Sequence, residues 1–309
     1  MENKKVLVLL SSYNGEKYIA DQIESILNQK TSHKVDLLIR DDGSTDSTVR
    51  ILHEYVELNP NRIQLILGKN IGYIRSFFTL IKQANNYDYY ALSDQDDVWM
   101  DNKIEKAIKA LENENNSIPL LFASTSYLVH DDLIPFGITQ KQIKEITFSN
   151  TIIQNIFPGH NQVMNQLLLD ELKEDIDYSK IYVHDSWITN VAIIKGKVLF
   201  DNEPSTFYRQ HNKNEVGYGH GKIGWIKERL RRIKSKHNVQ YTKQIDYFFK
   251  HFNNVMNSID YKHLCDFFGY QKNIFTRLFY VIFSCPLYRQ KKIETLYFKL
   301  LYLMNGYHH

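Results

Sequence analysis

The sequence predicts an α/β fold in which a mainly parallel sheet is flanked by helices. Short apolar runs rich in β-branched residues alternate with helical patterns from Lys5 to about Val129, and this alternation is typical of βαβ units. Polar residues follow four of these runs, as expected where parallel strands end at a ligand-binding edge. After Gly221 the chain becomes helical and basic, which predicts a C-terminal appendage.

Five apolar runs are predicted as strands because they are short and end in polar or turn residues. The strands are Val6–Ser11, Val35–Arg40, Ile63–Leu67, Tyr89–Leu92 and Leu120–Ser124. The segments between them carry apolar residues at helical spacing. The helices are expected near Tyr18–Asn28, Ser47–Leu58, Ile74–Ala84 and Lys103–Glu112. Asp46 with Thr45, and Asp101 with Asn102, are expected to cap helix starts.

Composition and charge narrow the class of protein. Apolar residues are 43% and charged residues 24%, as in folded proteins, and a formal charge of +3 is too small to indicate a nucleic-acid partner. The two cysteines, Cys265 and Cys285, have no metal-ligand spacing, so we expect a reducing, cytoplasmic compartment. The apolar runs at Val6–Leu10 and Leu278–Leu287 are too short for a leader or a spanning helix.

Four polar motifs follow the first four predicted strands. They are Ser12-Tyr13-Asn14-Gly15, Asp41-Asp42-Gly43-Ser44, Asn70-Ile71-Gly72 and Ser93-Asp94-Gln95-Asp96-Asp97. The carboxyl ends of parallel strands meet at one edge of an open sheet. The sequence therefore predicts that these motifs line a single cleft.

The acidic residues of two motifs suit the binding of a nucleoside diphosphate. Asp94 and Asp96, at alternate positions after a buried strand, could hold Mg²⁺ or Mn²⁺ against phosphate oxygens; the alternative is an acidic turn that caps the next helix. Asp42 could accept a pyrimidine imide N–H or a ribose hydroxyl. Gly43 allows the sharp turn beside it, and the competing capping role is assigned to Asp46.

Four residues outside these motifs are further candidates. Arg75 could approach the donor diphosphate from a helix start, although a solvated arginine is the alternative. Asp185 is the candidate general base; its alternative is a helix N-cap. Trp187 beside it offers an aromatic surface for a sugar ring. His211 could ligate the metal or contact phosphate, whereas an isolated histidine is more often a surface residue.

The chain divides into two predicted regions. Residues 1–220 form the sheet domain, with a donor half of about 1–130 and an acceptor half of about 131–220. Residues 221–309 form a basic, amphipathic, helical region that suits a membrane headgroup interface; packing on the core or forming a homodimer are the alternatives. Its cationic residues include Lys222, Lys227, Arg229, Arg231, Arg232, Lys234 and Lys236.

As a set, these motifs resemble glycosyltransferase family 2. They are Ser11-Ser12-Tyr13-Asn14-Gly15, Asp41-Asp42-Gly43-Ser44, Asn70-Ile71-Gly72, Ser93-Asp94-Gln95-Asp96-Asp97, Gly159-His160-Asn161 and His184-Asp185. Within this family, the chain looks most like the bacterial rhamnosyltransferases of capsule, O-antigen and cell-wall rhamnan assembly. The segments that carry this resemblance are Leu92–Trp99 and Tyr208-Arg209-Gln210-His211.

The resemblance implies a GT-A fold, with its Rossmann-like sheet, and an inverting transfer. The implied donor is of the dTDP-L-rhamnose type, with a UDP-hexose as the alternative, and the acceptor is a carbohydrate or polyprenyl-linked oligosaccharide. Asp94, Asp96 and His211 would bind the metal, and Asp185 would be the base. The Gln-x-x-Arg-Trp signature of processive synthases is absent, so we expect non-processive addition. His184-Asp185 replaces the commoner Glu-Asp.

The remaining expectations complete the site. The donor-binding residues are predicted to be Ser11, Tyr13, Asn14, Glu16, Asp42, Asn70, Gly72, Arg75, Asp94 and Arg209. The acceptor-binding residues are predicted to be Gly159, His160, Asn161, His184 and Trp187. We expect a protein at the inner face of the cytoplasmic membrane. A non-catalytic nucleotide-sugar-binding scaffold and a nucleotidyltransferase are the competing functions.

Overall fold

The computed structural model describes residues 3–174, 176–211 and 237–307, which form two sheets and their surrounding helices. The strands are β1 Lys5–Ser12, β2 Lys34–Asp41, β3 Ile63–Leu67, β4 Tyr89–Ser93, β5 Val98–Trp99, β6 Leu120–Ser124, β7 Tyr127–Val129, β8 Pro135–Ile138, β9 Val163–Asn165, β10 Lys197–Asp201 and β11 Thr206–Arg209. The α-helices are α1 Ile19–Leu27, α2 Thr48–Leu58, α3 Tyr73–Gln83, α4 Lys103–Glu112, α5 Phe148–Thr151, α6 Gln166–Lys173, α7 His184–Lys195, α8 His237–Phe252, α9 Ser258–Gly269, α10 Ile274–Phe279 and α11 Lys292–Leu303. Single 3₁₀ turns lie at Gly159–Asn161, Tyr178–Lys180 and Tyr270–Lys272, and a π-helical turn at Tyr280–Ser284.

The larger sheet has the strand order β10-β6-β9-β4-β1-β2-β3, and β5-β11-β7-β8 form the smaller one. In the larger sheet β9 runs antiparallel to both β4 and β6, whereas the other paired strands are parallel. The prediction of a mainly parallel sheet is therefore confirmed. Each of the five predicted strands and four predicted helices is present, with ends within one residue of those expected.

The side chains of β1 explain why helices cover both faces of the larger sheet. Successive strand residues point to opposite faces. Val6 and Val8 belong to the buried cluster that contains residues of α1 and α4, whereas Leu7 and Leu9 belong to the cluster that contains residues of α3, α6 and α7. A strand buried on both faces reads as a continuous apolar run, and β1 has this pattern.

The C-terminal helices pack on the second of these layers. Phe248 of α8, Phe267 of α9 and Phe298 of α11 are almost fully buried, and they belong to the same cluster as Leu9 of β1. The basic segment predicted at residues 222–236 lies outside the described residues, and the division at residue 221 stays a prediction. In the described part of the chain, helices fall short of the length and apolar character that a bilayer span requires.

The two predicted helix caps have different outcomes. Asp46 Oδ1 accepts the Thr48 N–H at 3.0 Å, so the part of the prediction that concerns Asp46 is confirmed, although Ser47 is the N-cap residue of α2 and its side chain forms no cap bond. The cap predicted for α4 is wrong. Asp101 pairs with Lys30 at 2.6 Å, Asn102 forms no side-chain cap bond, and Gln29 Oε1 accepts the Ile104 N–H at 3.0 Å instead.

Candidate active site

Hydrogen bonds join the loops that follow β1, β2 and β4. The Tyr13 N–H donates to Gln95 Oε1 at 2.8 Å, and Gln95 Nε2 donates back to the Tyr13 carbonyl at 2.9 Å. The Thr45 N–H donates to Asn14 Oδ1 at 2.8 Å. The predicted convergence of these loops at one edge of the sheet is therefore observed.

Two of the predicted donor residues near this edge have internal partners. Glu16 Oε2 accepts the Ser47 N–H at 2.9 Å, and Ser11 Oγ donates to Ser76 Oγ at 2.6 Å. Tyr13 is 45% exposed by contrast. Tyr13 is thus open to a ligand, whereas Glu16 and Ser11 hold the loops against their neighbours.

Asp42 lies beneath the loop after β3, whereas the sequence predicted that it faces the ligand. Its Oδ1 accepts the Ile71 N–H at 2.9 Å and its Oδ2 accepts the Gly72 N–H at 2.8 Å. Arg40 Nη1 also donates to Asp42 Oδ1, at 2.5 Å, and Asp42 is only 2% exposed. The prediction of an open Asp42 is wrong, because this buried carboxylate satisfies backbone N–H groups of the neighbouring loop.

The three carboxylates of the loop after β4 differ in exposure. The side chain of Asp94 is 40% exposed, that of Asp96 is 17% exposed and that of Asp97 is fully buried. Burial, with the charges of Asp96 and Asp185, raises the pKa of Asp94 to about 7. Burial and the two neighbouring acids also raise the pKa of Asp97 well above its usual value. Carboxylates that resist joint ionisation are stabilised by a bound cation.

His160 lies against two of these carboxylates. Its Nδ1 is 3.8 Å from Asp94 Oδ2 and 3.9 Å from Asp97 Oδ2. One potential ligand atom from each of the three residues lies within 4.8 Å of the others. Burial and the charge of Lys103 lower the pKa of His160 to about 3, so its ring is neutral at neutral pH. Asp94, Asp97 and His160 thus form a group that could hold a metal ion.

The predicted metal ligands Asp96 and His211 also lie together. His211 Nε2 is 2.9 Å from Asp96 Oδ2. The imidazole stacks on the Tyr18 ring with 5.1 Å between centroids. Both side chains keep part of their surface exposed, at 16% for His211 and 17% for Asp96. This second pair is therefore accessible from the cleft, in contrast to His160 and Asp97.

Arg209, a predicted donor contact, lies beneath the acidic loop. Its backbone N–H donates to Asp97 Oδ1 at 3.2 Å, and its Nη2 pairs with Asp21 Oδ2 at 2.6 Å. Its guanidinium also lies 4.9 Å from the centroid of the Tyr18 ring. With its side chain only 3% exposed, Arg209 ties β11 to the acidic loop and to α1. Its contact with a donor stays a prediction.

Lys103 is a residue of the site that the sequence reasoning missed. Its Nζ donates to the His160 carbonyl at 2.9 Å, and to Asn161 Oδ1 and Thr206 Oγ1 at 2.7 Å each. Burial lowers the pKa of Lys103 to about 7, although the acids beside it act in the opposite direction. A signal was present in the sequence: Lys103 lies on the apolar stripe of α4, four residues before Ala107.

Asp185 lies in the first turn of α7 and is partly exposed to the cleft. Its Oδ2 accepts the amide N–H of Asn155 at 2.7 Å and the Gly159 N–H at 3.1 Å. A Cβ at Gly159 would come within 2.8 Å of His184 Nε2, so the absence of a side chain allows this close approach. Asp185 is therefore held against the 159–161 turn, and its charge contributes to the raised pKa of Asp94.

The predicted acceptor residues are buried, which corrects the expectation of an open sugar-binding surface. Trp187 is 0% exposed, since it packs on Tyr247 with 5.4 Å between ring centroids. His184 is 7% exposed and stacks on Phe77 at 4.6 Å. Gly159, His160 and Asn161 form a buried 3₁₀ turn. The apolar rings are covered by core helices, and the polar groups of Asn161 are satisfied by Lys103 and its neighbours.

Arg75 and Asn70 lie at the rim of the cleft. Arg75 is exposed in the first turn of α3 and lines a pocket of about 160 Å³ together with Tyr178 and Ile181. Asn70 Oδ1 accepts the Gly72 N–H at 3.2 Å, and Gly72 has a positive φ of 84°. The turn into α3 therefore requires Gly72, while donor contacts of all three residues stay predictions.

The sheet order and the acidic loop at its carboxyl edge define a protein of the GT-A class of fold. The sequence matches the model of glycosyl transferase family 2 over residues 7–171. A dTDP-rhamnosyl transferase, RfbG of Shigella flexneri, is 30% identical over 250 residues, which cover 76% of this chain and 82% of that protein. The chain belongs to glycosyltransferase family 2.

Two solved structures are similar to the fold as a whole. Residues 1–349 of TarS from S. aureus, in complex with UDP-GlcNAc, give a TM-score of 0.58 at 15% identity and cover 98% of this chain and 89% of that chain. The chain spans 43% of a longer TarS chain. The mannosyltransferase PcManGT from Pyrobaculum calidifontis, in complex with GDP-Man and Mn²⁺, gives 0.54 at 16% identity and covers 99% and 86%. These likenesses confirm the predicted GT-A fold.

Proposed function

We propose that the chain transfers a sugar, with inversion and one addition per encounter, from a nucleoside-diphosphate donor to an acceptor hydroxyl. The observation that supports this proposal is that Asp185 accepts a hydrogen bond from the 159–161 turn, whose His160 lies against Asp94 and Asp97 of the acidic loop. Asp185 is partly exposed and held by Asn155 and Gly159. It is also close enough to Asp94 to raise its pKa.

Asp185 is suited to the role of general base. An acceptor hydroxyl that attacks an anomeric carbon loses a proton, and a carboxylate within hydrogen-bond reach can take it. One carboxylate oxygen of Asp185 is occupied by Asn155 and Gly159, and the other accepts the Ser186 N–H at 2.8 Å. These bonds fix the orientation of the carboxylate, and Oδ1, which accepts a single one of them, keeps a second lone pair for the acceptor proton.

A divalent cation, Mg²⁺ or Mn²⁺, fits the acidic loop. We assign it to Asp94, Asp96 and His211 because these side chains are reachable from the cleft. The alternative group, Asp94 with Asp97 and His160, has its ligand atoms closer together, but the side chains of Asp97 and His160 are buried and less accessible to a diphosphate. When bound, the ion would neutralise charge on the departing nucleoside diphosphate.

The proposed donor is dTDP-L-rhamnose. Support comes from the similarity to the dTDP-rhamnosyl transferase RfbG over most of both chains. A UDP-hexose is the second candidate, because residues 1–349 of TarS, in a similar fold, are described in complex with UDP-GlcNAc. The proposed acceptor is a lipid-linked or growing polysaccharide. We place the protein at the inner face of the cytoplasmic membrane, with a homodimer as a possible assembly.

The replacement Asp185→Asn tests the base. We expect transfer to fall by about 10³-fold, because an amide cannot accept the acceptor proton. Donor affinity should change little, since the acidic loop is intact. The measurement is nucleoside-diphosphate release from dTDP-L-rhamnose, with UDP-glucose in parallel, alongside donor binding by calorimetry. Asp170→Asn, at an exposed position of α6, is the matched control and should retain full turnover.

Other outcomes of this assay favour other functions. Full turnover by the Asp185→Asn protein would contradict the base assignment. Donor binding without product by the unaltered protein would indicate a nucleotide-sugar-binding scaffold. Release of pyrophosphate in place of nucleoside diphosphate would indicate a nucleotidyltransferase.

A further inference from the structure

The outer side of the α10 segment carries exposed apolar side chains. Helix α10 continues into the π-helical turn 280–284. Six apolar side chains along this segment are at least 44% exposed, and Phe275 and Phe283 reach 80% and 74%. They are Ile274, Phe275, Leu278, Phe279, Ile282 and Phe283. Contiguous exposed apolar residues, unlike single ones, indicate an interaction surface.

Helix α11 adds a second row to this surface. Ile293, Leu296, Leu300 and Met304 are between 52% and 68% exposed. The two segments are joined, since Arg277 Nε donates to the Leu303 carbonyl at 3.1 Å and Lys299 Nζ donates to the Val281 carbonyl at 3.0 Å. We call the two rows together the outer apolar face.

The outer apolar face is distinct from the surface by which these helices pack on the protein. Tyr280, Phe298 and Tyr302 are at most 1% exposed and belong to the buried cluster. Helix α11 is therefore apolar on its inner and its outer side. A helix that is apolar all round has an apolar neighbour on each side, and the described protein supplies only the inner one.

The charges around the outer apolar face indicate the chemistry of that neighbour. Residues 270–307 contain six cationic side chains and one acidic side chain, Glu294. The Glu294 carboxylate accepts the Gln154 amide N–H at 2.9 Å. Of the cations, Lys272, Lys291 and Lys292 are exposed. A basic border around an apolar centre matches a bilayer with anionic headgroups, whose charges lie above the acyl chains.

We infer that the outer apolar face inserts into the headgroup region of an anionic lipid bilayer. A second copy of the chain is less suitable, because a two-fold contact would bring the same cationic border against itself. The inference rests on the proposed membrane location and is independent of the transfer chemistry. It also places the contact at residues 274–304, apart from the basic segment 222–236.

Vesicle co-sedimentation of the full chain tests this inference. The unaltered protein should bind vesicles of phosphatidylglycerol and phosphatidylcholine, and bind pure phosphatidylcholine vesicles more weakly. The combined replacement Phe275→Gln, Phe283→Gln and Leu296→Gln should weaken binding to the anionic vesicles by about tenfold or more, because three apolar side chains that would enter the bilayer are lost. The matched control replaces Leu58, Ile134 and Ile143 by Gln, which are 78%, 63% and 62% exposed elsewhere. The control should bind like the unaltered protein.

Three results would overturn the inference. The first is unchanged vesicle binding by the Phe275, Phe283 and Leu296 variant. The second is loss of binding only when Arg229, Arg231 and Arg232 are replaced by Gln. The third is that the unaltered protein does not bind anionic vesicles and sediments as a dimer, whereas the variant sediments as a monomer.

Turnover with a water-soluble acceptor is measured on the same samples. Intact turnover together with lost vesicle binding supports the outer apolar face as the membrane contact. Vesicle binding in a protein that transfers no sugar would contradict the proposed function and leave this inference in place.

Discussion

At the scale of single residues, Lys103 shows how one buried charge organises the site. Its ammonium donates to His160, Asn161 and Thr206, and it lies beside the acids of the loop after β4. Buried charges are retained where they are paired and hydrogen-bonded. Lys103 is thus a positioning residue that holds the 159–161 turn, and through Gly159 it supports Asp185.

The replacement Lys103→Met should destabilise the protein by about 3 kcal/mol, because it leaves buried polar partners and neighbouring carboxylates without compensation. The free energy of unfolding from urea titration measures this. Lys109→Met, on the exposed side of the same helix, should change stability by less than about 0.5 kcal/mol. Equal effects of the two replacements would argue against a special role for Lys103.

Predictions about the orientation of single side chains were wrong more often than predictions about strands and helices. The strand-end motifs correctly indicated which loops would meet, because that depends on chain order and on the parallel sheet. The direction of each side chain depends on packing that no local pattern encodes. Trp187 follows Asp185 by two residues and looked like a sugar platform, yet helix α8 covers it. Asp42 looked open, yet the 70–72 loop folds over it.

At the scale of elements, the passage from α7 to β10 depends on Gly196. An added Cβ at this position would lie 1.8 Å from the Pro119 carbonyl oxygen. The next residue, Lys197, donates its N–H to the same oxygen at 2.9 Å and begins the parallel pairing of β10 with β6. Glycine is therefore required because two backbone segments nearly touch.

Gly196→Ala should lower the free energy of unfolding by about 2 kcal/mol, since the methyl group forces the backbones of α7 and β6 apart. Thermal unfolding monitored by circular dichroism is the measurement. Gly269→Ala, at the end of α9 where nothing lies within 4 Å of the added carbon, is the control and should be neutral or slightly stabilising. A Gly196→Ala protein of unchanged stability would contradict this prediction, because it would show that β10 can move away from Pro119 without losing its pairing with β6.

Elements were predicted more successfully than residues. The five strands and four helices between Val6 and Ser124 follow from the spacing of apolar residues, because the side chains that are buried against the sheet must be apolar. Strand β9 was missed because Val163–Asn165 is too short to carry a periodic signal. The strands of the smaller sheet are also too short to carry a periodic signal, and β11 pairs with β5 and β7, which are distant from it in sequence.

At the scale of the whole molecule, ligand binding and stability are linked. A ligand that binds only the folded state raises the melting temperature according to its concentration and affinity. We expect dTDP with Mn²⁺ to raise the melting temperature more than dTDP with a chelator. We also expect dTDP to exceed UDP if the donor is dTDP-L-rhamnose.

The Mn²⁺-dependent part of this shift should disappear in Asp96→Asn and in His211→Ala, because each removes a ligand that is reachable from the cleft. The control Asp170→Asn should retain the full shift. Retention of the shift in both ligand variants would instead point to Asp94, Asp97 and His160 as the metal group.

The position of β9 also limits how the enzyme can move. This strand pairs on one side with β4, which carries the acidic loop, and on the other with β6, which belongs to the β6–β10 pair. A motion that separated the β6–β10 side of the larger sheet from the β4 side would break the backbone hydrogen bonds of β9 with β4 or β6. We therefore expect the larger sheet to stay intact while the protein binds and releases its ligands.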